Sequence, residues 1–181
     1  VAVQGLGHVG YYLCKDLAEE GAKLTVTDID QDRVKQVVDE FGAEAVEPDA
    51  IYAVDADIFA PCALGAIVND DTIDVLNVDI VAGAANNQLA RGPIHGPALD
   101  ERGILYAPDY VINAGGLINV YGEIEGWSPE RSKRKAGDIY NTLMRTFELA
   151  TTEGLAPHAA ANKVAETRIR EARHLQRTYL S

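Results

Sequence analysis

Val1-Ala-Val-Gln-Gly-Leu-Gly-His-Val-Gly10 decides the fold. Its first four residues are an apolar run halted by glycine, which reads as a short buried strand. Val9, Leu13 and Leu17 then recur at helical spacing, and Gly21 closes that helix. Ala22–Thr27 is β-branched and ends at Asp28, a second strand. Asp30 can cap the next helix, whose buried stripe is Val34, Val37, Val38 and Phe41, ended by Gly42. Strand, helix, strand and helix in succession make a βαβ unit, and strand twist dictates right-handed parallel winding.

Further strands are expected at 57–60, 79–82 and 103–107. A Pro/Gly loop (Gly92, Pro93, Gly96, Pro97) and a short helix lie before the last of them. Pro108 and Gly115-Gly116 break the chain ahead of a helical region. From Pro129 onward there is no strand candidate: Ser128 caps one helix, which runs through Leu143 and Phe147 to Gly154, and a second follows Pro157. Its stripe of Ala161, Ala165, Ile169, Ala172, Leu175 and Tyr179 needs a partner surface. The expected architecture is a Rossmann-like, doubly wound, mostly parallel α/β sheet with C-terminal helices.

Gly5-Leu-Gly-His-Val-Gly10 has the G-x-G-x-x-G spacing in the context that gives it meaning, after a strand and opening a helix. Gly5 makes the tight turn, Gly7 lets the backbone approach a pyrophosphate, and Gly10 lets helix pack on strand. The N–H groups of His8, Val9 and Gly10 then face the phosphates at the helix N-terminus. The His8 side chain points to solvent. Asp28 lies 18 residues beyond Gly10, at the end of the second strand, with Ile29 beside it. A carboxylate there accepts hydrogen bonds from a ribose diol and repels a 2′-phosphate, which favours NAD over NADP. The alternative reading of Asp28 is a cap for the following helix. Arg33, the one nearby cation, faces both Asp28 and Asp30.

Charge excludes some partners. The 181 residues carry 16 Lys+Arg against 28 Asp+Glu, a net −12, which opposes a nucleic-acid backbone. The charge is uneven: residues 1–129 hold 6 basic and 22 acidic side chains, and residues 130–181 hold 10 and 6. The basic tail therefore meets a different surface. Two cysteines 48 residues apart make neither a disulfide framework nor a metal site, so a reducing, cytoplasmic setting is expected. The histidines (His8, His95, His158, His174) have no partners at ligand spacing, so no metal is expected. No apolar run approaches the ~18 residues of a membrane span. The chain opens at Val1 inside a strand, as a piece of a longer protein does.

Three longer motifs are more specific. They are Asp57-Ile-Phe-Ala-Pro-Cys-Ala-Leu-Gly65, Ala82-Gly-Ala-Ala-Asn-Asn-Gln-Leu89 and Gly103-Ile-Leu-Tyr-Ala-Pro-Asp-Tyr-Val-Ile-Asn-Ala-Gly-Gly116. In this order they resemble the NAD-binding half of the glutamate/leucine/phenylalanine/valine dehydrogenases, nearest to the leucine dehydrogenases, over essentially all of the chain. The resemblance implies reversible oxidative deamination of an L-amino acid to a 2-oxo acid and ammonia, with hydride passing to NAD. It implies that Cys62, Ala63 and Leu64 border the adenosine. Ala84 and Asn86 would lie along the nicotinamide, and Asn113 would reach the carboxamide or the substrate carboxylate. Asn-rich clusters at strand ends are also plain turn formers. Leu143, and less directly Thr146, would face the substrate side chain, although Leu143 reads equally as core. Branched-chain substrates fit better than aromatic ones. Tyr121-Gly-Glu123 stands where the family more often has Ala-Asp-Glu.

The family's catalytic lysine and aspartate belong to an N-terminal domain. None of the six lysines here sits in a glycine-rich segment of that kind, and Lys133 and Lys135 lie in a basic run that reads as a solvated face. No catalytic residue is expected in this chain, which alone should bind NAD(H) without turning over an amino acid. Residues 1–155 would form the NAD-binding domain. Residues 156–181 would form a helix that packs on the missing substrate domain and is otherwise exposed, mobile or self-associating. A homo-oligomer is expected of the full-length protein. The rival reading is a dinucleotide-sensing regulatory module without catalysis. Such a sensor needs Gly5–Gly10 and Asp28 but has no use for the motifs around Asn86 and Asn113.

Overall fold

The computed structural model describes residues 1–179, with side chains through Arg173. Six strands form one all-parallel sheet: β1 (Ala2–Gln4), β2 (Thr25–Thr27), β3 (Glu44–Ala45), β4 (Ala56–Pro61), β5 (Val78–Val81) and β6 (Leu105–Tyr106). Their spatial order is β3-β2-β1-β4-β5-β6, the doubly wound order of the Rossmann class. The chain steps outward from β1 through β2 to β3, then returns to the other side of β1 for β4. The strand order thus reverses between β1 and β4, and a crevice opens at their carboxyl ends.

Alternation along the strands divides the core into two layers. On β1, Ala2 packs with Phe59, Val81, Leu99 and Tyr106, whereas the next residue, Val3, packs with Val26, Cys14, Val34 and Val37. Helices α1 (His8–Glu19) and α2 (Gln31–Phe41) cover the second layer. Two 3-10 segments, Pro48–Ala53 and Ile73–Val75, and α3 (Gly92–Glu101) cover the first. Beyond β6 come α4 (Asp109–Ile112), α5 (Gly115–Ile124), α6 (Pro129–Glu153) and α7 (Pro157–Tyr179).

Several expectations change. The Gly92–Pro97 segment is not a loop: it forms the first turns of α3, with Pro93 in the first turn, where a missing N–H costs nothing. Gly115-Gly116 do not break the chain but open α5. Strand β3 and helix α4 were not legible as elements. The start of α7 is not exposed, because Pro157, Ala160 and Ala161 are buried where it meets α6, α3 and β6. From Glu166 to Arg173 the helix is exposed throughout, Ile169 and Ala172 included. Leu175, Tyr179 and His174 lie outside the described side chains.

Among the described residues, no helix is long and apolar enough to cross a membrane. No group of three or more His, Cys, Asp or Glu among them could hold a metal ion. His95 is fully buried as a structural group. Its Nδ1 accepts the Arg91 N–H at 3.0 Å and its Nε2 faces Asp70 at 3.1 Å, which holds the exposed Asp70 carboxyl below its usual range.

Candidate functional site

The crevice is built from the ends of three strands. Gly5 follows β1 with φ +94°, a left-handed conformation that favours glycine. A Cβ on Gly5 would stand 2.6 Å from Ala63 Cβ, so the turns after β1 and β4 touch. Gly10 is tighter still: a Cβ there would lie 1.9 Å from the Gly5 carbonyl oxygen and 3.4 Å from Cys62 Cβ. A Cβ on Gly83, after β5, would stand 2.3 Å from the Pro61 carbonyl oxygen. Gly7 differs. A Cβ on it would meet nothing nearer than Arg33 Nη1 at 3.7 Å. The outer glycines are packing requirements, and the middle one leaves an open face.

That open face lies at the N-terminus of α1. Gly7 is the N-cap and supplies no side-chain cap, and the first turn has no acidic residue, so its N–H groups are free of side-chain acceptors. His8 and Val9 are exposed there. Such a terminus, with its N–H groups and dipole, suits a diphosphate.

Asp28 sits beside this turn and is not the cap of α2. Its Oδ2 accepts the Leu6 N–H at 2.5 Å and its Oδ1 accepts the Asp30 N–H at 2.9 Å. Asp30 is the cap, accepting from Asp32 N at 3.1 Å and Arg33 N at 3.4 Å. The carboxylate of Asp28 is thus clamped against the glycine turn with lone pairs left for a ligand. Arg33 does not face both acids: among the described residues it pairs with Asp30 and not with Asp28, Nε to Oδ2 at 3.2 Å. Ile29 is 91% exposed at the end of β2 and Leu64 is 80% exposed after β4, so two apolar side chains flank the turn on either side. Burial pushes the Cys62 thiol up, and the Cys14 thiol to about 12, so both stay protonated at neutral pH and offer packing surface, not nucleophiles.

Across the crevice the structure brings Asn86 and Asn113 together. Asn113, at the end of α4, donates from Nδ2 to Asn86 Oδ1 at 2.7 Å, with longer approaches to the carbonyls of Ala84 and Ala85 at 3.4 and 3.5 Å. Two residues that no sequence argument singled out hold this region. Gln88, fully buried, donates from Nε2 to Gly83 O at 2.7 Å and Ala85 O at 3.0 Å, and its own N–H reaches Asp109 Oδ2 at 2.9 Å. Their signal was present, since Gln88 and Asp109 lie inside the quoted motifs. A cavity of about 420 Å³ opens between α4, α5, α6 and α7, lined by Thr142, Thr146, Ile139 and Ala165 among others. Thr146 is fully buried in its wall, whereas Leu143 is half-buried and stands outside its lining.

The fold is a doubly wound α/β unit with a glycine turn at its switch point. Residues 25–177 match the model of the Glutamate/Leucine/Phenylalanine/Valine dehydrogenase family, and the chain belongs to that family. The leucine dehydrogenase of Thermoactinomyces intermedius is 54% identical over 180 residues, 99% of this chain and 49% of that enzyme. That of Bacillus subtilis is 51% identical over the same span. An L-tryptophan dehydrogenase of Nostoc punctiforme is 50% identical, and its crystal structure superposes with a TM-score of 0.92, covering 94% of this chain and 52% of that one. The hetero-hexameric glutamate dehydrogenase of Thermus thermophilus shares the fold, at a TM-score of 0.75 and 22% identity. The chain spans about half the length of the curated relatives it matches.

Proposed function

We propose that this chain is the NAD-binding half of an NAD-dependent L-amino acid dehydrogenase that oxidises a branched-chain substrate, and that the whole protein is a cytoplasmic homo-oligomer. The observation that carries the reading is the pairing of an open Gly7 with Asp28 clamped beside it. A ligand that offers a diphosphate and a ribose diol at that separation is a dinucleotide. A nicotinamide cofactor held there would supply the hydride acceptor for oxidation of an L-amino acid at its α-carbon.

The residues divide the work along the crevice. The N–H groups of His8, Val9 and Gly10 hold the pyrophosphate, and Asp28 holds the adenosine ribose with Ile29 beside it. Cys62, Ala63 and Leu64 border the adenosine. Ala84 and Asn86 line the nicotinamide, and the amide of Asn113, able both to donate and to accept, fixes the carboxamide or the substrate carboxylate. Leu143 contributes to the side-chain pocket. The catalytic lysine and aspartate are supplied from outside residues 1–181, on a domain against which residues 156–181 pack. Identity of 54% to a leucine dehydrogenase supports the branched-chain substrate.

Fluorescence titration with NADH, with NADPH as control, tests this. Saturable NADH binding with weaker NADPH binding is expected, and no leucine-dependent NADH formation by the chain alone. Failure to bind NADH, or tighter binding of NADPH, overturns the reading.

A further inference from the structure

Among the described residues, Arg33 is the one side chain that reaches the open face of the glycine turn, with Nη1 3.7 Å from the point where a Cβ on Gly7 would stand. Its orientation has a cause. Asp30 caps α2 with Oδ1 and turns Oδ2 toward Arg33 Nε at 3.2 Å, so the backbone cap and the ion pair are made by one carboxylate. A guanidinium is a planar fork with five N–H donors. The pair with Asp30 engages the Nε edge. Among the described residues the two Nη nitrogens have no hydrogen-bond acceptor, and the side chain is half-exposed. Lys35, the next cation along α2, is held by Asp39 one turn further along that helix.

The surroundings make this cation consequential. Asp28, Asp30 and Asp32 crowd the entrance, in a portion of the chain that is strongly acidic overall. An anionic ligand entering over Gly7 meets those like charges, offset by the N–H groups of α1 and by Arg33.

We propose that Arg33 is a phosphate contact: its Nη edge closes on the pyrophosphate lying over Gly7, and Asp30 is the positioning residue that aims it. The proposal rests on the reading of the crevice as a dinucleotide site. It assigns Arg33 to the pyrophosphate and not to a ribose 2′-phosphate, because the guanidinium stands over Gly7 while the acid of Asp28 occupies the ribose side.

The test is titration of the wild-type chain, Arg33→Ala and Arg33→Lys with NADH and NADPH, and with ADP and adenosine as competitors. Arg33→Ala should weaken NADH, NADPH and ADP alike by about tenfold, the effect of losing one charge-assisted contact. Adenosine, which has no phosphate, should bind unchanged, and Arg33→Lys should recover part of the loss. Equal NADH affinity in wild type and Arg33→Ala overturns the proposal, as does a loss confined to NADPH. Absence of NADH binding in the wild type instead removes the dinucleotide reading, and this inference with it. Unchanged thermal unfolding of both variants shows that the readout concerns binding.

Discussion

Asn113 Nδ2 donates to Asn86 Oδ1 at 2.7 Å, tying the end of α4 to the loop after β5. The tie is one strand of a small network, because Gln88 and Asp109 bind the same two segments from beneath. Replacing Asn113 with Ala removes the donor and frees the Asn86 amide. NADH affinity should fall about fivefold, the value of one hydrogen bond of about 1 kcal/mol, with little change in melting temperature because the pair is largely exposed. Asn113→Asp should do at least as badly, since a carboxylate cannot donate to Asn86. Calorimetric titration with NADH reads both; an unchanged dissociation constant would remove Asn113 from the nicotinamide end.

The glycine turn separates folding from binding in two single substitutions. A methyl on Gly10 would stand 1.9 Å from the Gly5 carbonyl oxygen, backbone against backbone, so Gly10→Ala should cost about 3 kcal/mol or more. A methyl on Gly7 meets only Arg33 at ordinary contact distance, and φ there is −64°, open to any residue. Gly7→Ala should therefore fold with near wild-type stability and lose NADH binding, because the methyl occupies the face the pyrophosphate needs. Urea unfolding and NADH titration on the two proteins should give opposite patterns. Tight NADH binding by Gly7→Ala would mean that no phosphate lies over that residue.

Asp28 is argued on the same footing. Its two oxygens already hold Leu6 N–H and Asp30 N–H, so Asp28→Ala strips the ligand of an acceptor and loosens the turn together. NADH affinity should drop about tenfold or more, and the preference for NADH over NADPH should shrink because the charge that repels a 2′-phosphate is gone. A ratio of the two affinities unchanged from wild type would take Asp28 away from the ribose.

What the sequence made legible was local. The β1 strand, the turn and α1 could be read because an apolar run, three glycines and a helical stripe follow one another within 17 residues. The caps Asp30, Ser128, Gly42 and Gly154 all act where their residue types suggest. β3 escaped because Glu44 and Ala45 are both exposed and carry no alternation; only pairing with Thr25 and Val26 makes them a strand. The site divides likewise. Gly5–Gly10 and Asp28 were visible, but the pairing of Asp28 with Leu6, the lean of Arg33 over Gly7 and the hold of Asp109 on Gln88 join residues 21 to 26 positions apart, and spacing does not reveal such contacts.

Another contact of that kind joins Gly96, expected in a loop but found inside α3, to His158 on α7. A Cβ on Gly96 would lie 2.2 Å from His158 Nδ1 and 2.7 Å from Cε1, so the ring of α7 occupies the place of a side chain on α3. Alanine in a helix interior normally gains about 1 kcal/mol over glycine. Here Gly96→Ala should instead lose about 1–3 kcal/mol by overpacking, and His158→Ala in the same chain should restore most of it, a coupling that a double-mutant cycle reads directly. The same contact sets a pH dependence. Burial holds the His158 imidazole below its ordinary value of about 6.5, and its Nδ1 is buried without a partner. Below that pH the unfolded chain binds the proton more readily than the folded one. The His158 contribution is therefore complete above about pH 6.5 and is lost as the pH falls toward the depressed folded value. Urea midpoints should decline between pH 7 and pH 5 more steeply in the wild type than in His158→Gln, and parallel slopes for the two would show that the α3–α7 contact leaves this histidine free to protonate.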